Sequence, residues 1–155
     1  MHVRRYKIGE EETLWKLCRD TTLQVNGRDY GMELVEKWAP SQIDMGKWTE
    51  RMRRKNPFVA DQDGSIVGFA ELTSEARISG FYSHYEWQRK GVGKALYQAI
   101  EVEASRLGFD RLRVEVSTTA KRFFLSMGFC IVEEKESMTC EIPFTSFLMQ
   151  KRIIR

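Results

Sequence analysis

The hydrophobic pattern changes period three times between residues 95 and 134, and that succession limits the chain to few architectures. Ala95, Leu96, Ala99, Ile100, Ala104 and Leu107 recur at the spacing of one helix face, and Gly108 ends the run. In RLRVEV (111–116) the period drops to two: Leu112, Val114 and Val116 share one face, Arg113 and Glu115 the other. Helical spacing returns from Thr118 to Met127, with Ala120, Phe123, Phe124 and Met127 as its apolar side and Gly128 at its end. FCIVEE (129–134) and FTSFLMQKR (144–152) read as closing strands. Strands and helices alternating in this way need a sheet covered by helices.

The first half fits that frame. HVRRYKI (2–8) alternates in part and reads as a first strand. Leu14, Leu17, Cys18 and Thr21 mark a helix; Asn26-Gly27 marks a turn. Met32, Val35 and Trp38 mark a second helix, which stops before Pro40. QIDMGKWTERMRRK (42–55) holds a short third helix. FVA (58–60) and SIVGFAEL (65–72) flank DQDG as a hairpin, and ARISGFYSHY (76–85) is extended again. The expected fold is α/β, a mixed sheet flanked by helices. No repeat or linker divides residues 1–155, so one domain is expected.

Composition closes off several classes. The chain is 42% hydrophobic and 30% charged, as in ordinary globular proteins. No apolar run approaches the roughly 20 residues of a membrane span, and MHVRRYKIGE has no apolar stretch behind its basic residues, so neither membrane nor signal peptide is expected. Cys18, Cys130 and Cys140 are scattered and odd in number, which points to a reducing, cytoplasmic setting. Two histidines and no CxxC make a metal site unexpected. A net charge of +3, spread among almost as many acids, does not imply nucleic acid.

QRKGVGKAL (88–96) precedes the long helix and has the look of a phosphate loop. A P-loop would need GxxxxGK and then a hydroxyl; here Ala95 follows Gly93-Lys94, and Gln88 stands where the first glycine belongs. A dinucleotide fingerprint would need a third glycine where Leu96 stands. What remains is Gln88-x-x-Gly91-x-Gly93 between a strand and a helix. Such glycines let the backbone approach a ligand, and the first helical N–H groups attract a pyrophosphate without a metal. Arg89 and Lys90 would add screened attraction. The alternative is a plain helix-leading turn with a solvated basic pair.

In its context the loop says more. ISGFYSHYEWQRKGVGKALYQAIEVEASRLG (78–108) closely resembles the coenzyme-A-binding segment of the GNAT superfamily of N-acetyltransferases, and LRVEVSTTAKRFFLSMGF (112–129) is similar to its second signature, a strand and helix ending in Gly-Phe. NGRDYGMELVEKWAP (26–40) looks like one bacterial subgroup of uncertain substrate. The resemblance implies a mostly antiparallel twisted sheet whose central strands splay, with acetyl-coenzyme A between them. Phe81, Tyr82 and Ser83 would offer backbone groups to the pantetheine arm. Gln88, Arg89, Lys90, Gly91, Val92, Gly93 and Lys94 would hold the pyrophosphate. Ser117 stands where the family often has an asparagine on the cofactor arm, and Phe123 and Phe124 would flank the thioester.

Acetyl transfer to an amine needs a proton acceptor, a donor to the carbonyl oxygen, and a tolerable leaving thiolate. Glu115 is the first candidate for the acceptor; some relatives carry a glutamate at the matching position. An exposed strand glutamate paired with Arg113 or a neighbouring-strand cation is the alternative. Glu71, on the preceding strand, and His84, of a residue type that titrates near neutrality, are the others. A backbone N–H of the bulged strand, near Ser83, would meet the carbonyl oxygen. Many relatives have a tyrosine four residues before the Gly of Gly-Phe; here it is Phe124, which donates no proton, leaving water, Tyr82 or Tyr85.

Trp38 with Tyr30 could line an acceptor pocket or simply pack; Trp15 reads as core. RMRRK (51–55) reads as a solvated helix end or a phosphate contact. Cys130 reads as buried packing. The expectation is an acetyl-coenzyme-A-dependent N-acetyltransferase acting on a small-molecule or peptide amine, with a homodimer open. A coenzyme-A-binding sensor without turnover is the rival.

Overall fold

The computed structural model describes residues 1–153. Seven strands make one sheet in the order β1-β2-β3-β4-β5-β7-β6: β1 (His2–Arg5), β2 (Phe58–Gln62), β3 (Ser65–Leu72), β4 (Arg77–Ser83), β5 (Arg111–Ser117), β6 (Cys130–Thr139) and β7 (Ile142–Arg152). Every neighbouring pair is antiparallel except β4 and β5. The helices are α1 (Glu11–Thr21), α2 (Gly27–Tyr30), α3 (Met32–Trp38), α4 (Met45–Lys55), α5 (Val92–Arg106) and α6 (Thr118–Ser126). This is the α/β fold that the periodicity predicts.

Helices cover both faces, so the alternation within a strand feeds two cores. Ala60 and Ala70 join Leu96, Ile100, Leu112 and Val114 beneath α5. Their neighbours Val59 and Phe69 join Leu14, Leu17, Trp48 and Met52 beneath α1 and α4. Residues 67–71 of β3 are therefore all buried, as in a strand covered twice. Trp15 packs edge-on against Trp48, the packing role expected of it. Gly68 lets α5 settle on the sheet: a Cβ there would lie 2.6 Å from Val92 Cγ1.

Two local expectations are corrected. Asn26-Gly27 is not a turn. A π-helical stretch (Thr22–Asn26) runs from α1 into α2, and both residues have right-handed helical angles. Gly27 serves packing instead, because a Cβ would lie 3.1 Å from Met32 Sδ. The break falls at Gly31, with φ +81°. Cys130 is exposed, not buried. It opens β6, an edge strand whose first five residues are all solvent-exposed.

The three thiols should therefore separate in alkylation. Cys18 is buried, and burial pushes its thiol up to about 11. Cys130 and Cys140 are exposed. Iodoacetamide at pH 8 is expected to add two carboxamidomethyl groups to the native protein and a third only after denaturation. Mass spectrometry showing Cys18 labelled in the native state at the rate of the others would contradict this packing.

Candidate active site

The site arises where the sheet comes apart. β4 and β5 pair only at Arg77↔Arg113 and Ile78↔Val114. Beyond that point the strands run on without a ladder between them. On its other side β4 pairs with β3, and the register slips between Glu71↔Gly80 and Leu72↔Ile78, leaving Ser79 as the extra residue of a bulge. The bulge thus sits at the apex of the split, several residues before Ser83.

Main-chain groups line the opened side of β4. The His84 N–H donates to the Val67 carbonyl at 2.8 Å, so the ladder's alternation turns Tyr82 toward β3 and Phe81 and Ser83 toward the gap. The Ser83 carbonyl is already engaged, accepting from Gln88 Nε2 at 2.6 Å and Thr21 Oγ1 at 3.3 Å. The N–H groups of Phe81 and Ser83 are the ones directed at the gap. Phe81 lies nearer the apex of the split than Ser83.

The glycine loop lies at the wide end. Gly91 has φ +85° with nothing within 4 Å of a notional Cβ, so the backbone there is open to an approaching group. The first turn of α5 has no side-chain cap, and the first intrahelical donor to Gly91 is the Ala95 N–H. The N–H groups of Val92, Gly93 and Lys94 therefore have no partner within the helix. Gly93 makes room for Phe123, whose Cε1 would meet a Cβ at 3.0 Å. The Gln88 side chain braces the loop, donating to the Ser83 and His84 carbonyls. Arg89 and Lys94 are exposed, and Lys90 Nζ lies 5.0 Å from the Trp87 ring. This is an arrangement suited to an anion.

The carboxylates separate sharply. Glu115 is the first residue of β5 beyond its last pair with β4. Its Oε2 accepts from Arg77 Nη2 at 3.1 Å and its Oε1 from Ser146 Oγ at 3.2 Å. It lines a cavity of about 390 Å³ together with Trp38, Arg77, Ser117, Phe144 and Ser146. Glu71 is fully buried and already taken: Arg51 Nη2 at 2.6 Å, Arg51 Nε at 3.2 Å and Ser79 Oγ at 3.2 Å all donate to it. The basic run 51–55 is thus not wholly solvated, since Arg51 turns inward to this pair. His84 caps a short turn, its Nδ1 accepting from the Glu86 N–H at 3.1 Å, with its ring stacked on Tyr85.

The alternative proton donors are poorly disposed. Phe124 is buried against Phe81, Phe123 and Phe129. The Tyr82 ring turns the other way, toward Phe69, and burial raises its phenol well above the ordinary value. Tyr85 is raised by its hydrogen bond to Glu86. Tyr30 is engaged on both sides, accepting from the Thr118 N–H and donating to the Thr145 carbonyl at 2.9 Å. With Trp38 Nε1 on Thr139 Oγ1 at 3.0 Å, it ties the α2–α3 segment to the β6–β7 hairpin beside the cavity. Ser117 ends β5 as the residue before α6 and makes no side-chain cap. Among the described residues no cluster of histidine, cysteine or carboxylate side chains could hold a metal ion, and no helix is long and apolar enough to cross a membrane.

The pairing of Glu115 with a neighbouring-strand cation, given above as the alternative, is present, and the cation is Arg77. Sequence reasoning missed Ser146, Phe144 and the role of Arg51. For Arg51 one signal existed: a glutamate inside the apolar strand SIVGFAEL must find a cation if it is buried.

Residues 26–151 match the acetyltransferase (GNAT) domain family, and the chain belongs to it. It is 27% identical over 150 residues to YafP of Escherichia coli K12, an uncharacterized N-acetyltransferase, covering 97% of this chain and 95% of that protein. The crystal structure of a GCN5-related N-acetyltransferase from Rhodopseudomonas palustris superposes with a TM-score of 0.91 at 25% identity, over 97% of this chain and 94% of that one. The acetyltransferase yncA of Salmonella typhimurium, solved with its cofactor acetyl-CoA, shares the fold at a TM-score of 0.75 and 16% identity, covering 100% of this chain and 95% of that one. Family membership makes this an acetyl-CoA-dependent acyltransferase.

Proposed function

We propose that the protein transfers the acetyl group of acetyl-CoA directly to a primary amine, with both substrates bound together. The observation that carries this reading is the position of Glu115: the first β5 residue past the split, facing a cavity, on the strand opposite the bulge. The N–H groups of Val92, Gly93 and Lys94 hold the pyrophosphate, and those of Phe81 and Ser83 meet the pantetheine arm and the carbonyl oxygen. Acetyl-CoA supplies an activated thioester, so positioning contributes much of the rate and no covalent enzyme intermediate is needed. Glu115 takes one proton from the incoming ammonium. The freed nitrogen bonds to the acetyl carbon, the C–S bond breaks, and a second nitrogen proton balances the departing sulfur. Amide, free thiol and one proton passed from Glu115 to water complete the exchange. Phe124 donates nothing, so that second proton reaches sulfur through water.

The absence of a phenol at Phe124 also favours a second reading, a coenzyme-A sensor. Thiol release separates the two. With acetyl-CoA and a panel of primary amines, the transferase reading expects coenzyme A release that requires an amine, together with calorimetric binding of acetyl-CoA. Tight cofactor binding with no amine-dependent release from any acceptor class favours the sensor.

A further inference from the structure

We infer that the acceptor is an amine carrying a carboxylate on the same carbon, an α-amino acid with an apolar or aromatic side chain. This rests on the transferase reading for its chemistry but not for its binding. The cavity beside the split presents three chemistries together. Arg77 offers a cation, Glu115 an anion, and Trp38 with Phe144 an aromatic wall. The two rings meet edge to face, with centroids 4.9 Å apart.

A carboxylate alone would suit any ammonium. Arg77 changes the specificity, because its Nη2 lies 3.1 Å from Glu115 Oε2 and its side chain remains half exposed. An exposed pair of this kind contributes little to stability, so its partners are readily exchanged. An α-amino acid carries its ammonium and carboxylate on one carbon and reaches two such neighbouring partners at once. Its carboxylate takes the Arg77 guanidinium, in the geometry that guanidinium groups favour. Glu115 Oε2 then loses its resident donor and receives the ammonium. Ser146 Oγ, donating to Oε1, keeps the carboxylate oriented during the exchange. The substrate side chain lies against Trp38 and Phe144. A volume of about 390 Å³ is enough to hold a single amino acid. A peptide N-terminus has no carboxylate beside its amine to meet Arg77.

Calorimetry on the coenzyme-A-loaded protein tests recognition without turnover. L-phenylalanine is expected to bind at least about tenfold more tightly than phenethylamine, which differs by the carboxylate, the worth of one hydrogen-bonded ionic contact. L-leucine over isoamylamine is expected to repeat the ratio. Arg77→Ala should collapse both ratios toward one, and Arg77→Lys should restore part of them. In turnover with acetyl-CoA the same preference is expected in kcat/KM, carried mainly by KM. Equal binding of amine and amino acid, or binding of neither, overturns the inference. Equal turnover of both overturns it while leaving the transferase intact. Selective binding without any thiol release supports it and overturns the transferase reading instead.

Discussion

Glu115→Gln is expected to lower kcat/KM for acetyl transfer by about 10²–10⁴-fold near neutral pH, the usual contribution of a positioned proton acceptor. The substitution is close to isosteric. A glutamine oxygen still accepts from Ser146 or Arg77, so the cavity should keep its shape. What it loses is the capacity to take a proton from an ammonium. The variant then depends on substrate that arrives already neutral. Its log kcat/KM should climb by about one per pH unit below the amine's own pKa, while the parent's profile is flatter. Acetyl-CoA affinity should not change, because no cofactor contact proposed above involves the Glu115 side chain. If both proteins give the same profile from pH 6 to 9, Glu115 is not the proton acceptor, and its contacts with Arg77 and Ser146 are merely structural.

The parts of this site that were legible in the sequence are those written in consecutive residues. The period changes placed α5, β5 and α6, and the spacing Gln88-x-x-Gly91-x-Gly93 located the unpartnered amides at the start of α5. Val114 and Glu115 fall on opposite faces of β5, so the glutamate's escape from the α5 core was also legible. The parts that were hidden depend on register. Arg77 meets Glu115 across 38 residues, Ser146 meets it across 31, and Arg51 reaches Glu71 across 20. No local pattern carries those pairings, because each depends on which residues of two strands, or of a strand and a helix, come to lie side by side. The bulge at Ser79 is hidden for the same reason, since nothing in ARISGFYS shows which residue lacks a partner. Cys130 was misread because a hydrophobic run looks alike in a central strand and an edge strand, and only strand order distinguishes them. Asn26-Gly27 was misread because a dipeptide that favours turns also tolerates helical angles when the packing of Met32 demands a small residue.

Arg51→Ala is expected to destabilise the protein by about 3 kcal/mol, the low end of the cost of breaking a buried ion pair. For a chain of this size that is roughly 6–12 °C in Tm. Glu71 is fully buried, whereas the Arg51 side chain is 39% exposed, so water entering the vacated space should moderate the loss. Gly80 makes room for the carboxylate against β4. A Cβ at that position would lie 2.5 Å from Glu71 Oε1, which shows how closely the β4 backbone is packed against the pair. Removing both charges in Arg51→Met, Glu71→Met should cost far less than Arg51→Ala alone, because no stranded carboxylate remains. Thermal unfolding of the three proteins gives the comparison. A single variant within about 0.5 kcal/mol of the parent, the range of ordinary surface changes, would show that the pair holds nothing in place. The consequence extends to catalysis through Ser79, the extra residue of the bulge, whose Oγ donates to Glu71 Oε1. With that anchor gone, the Phe81 N–H should be less well fixed. The folded double variant is then expected to lose kcat even where its stability matches the parent's.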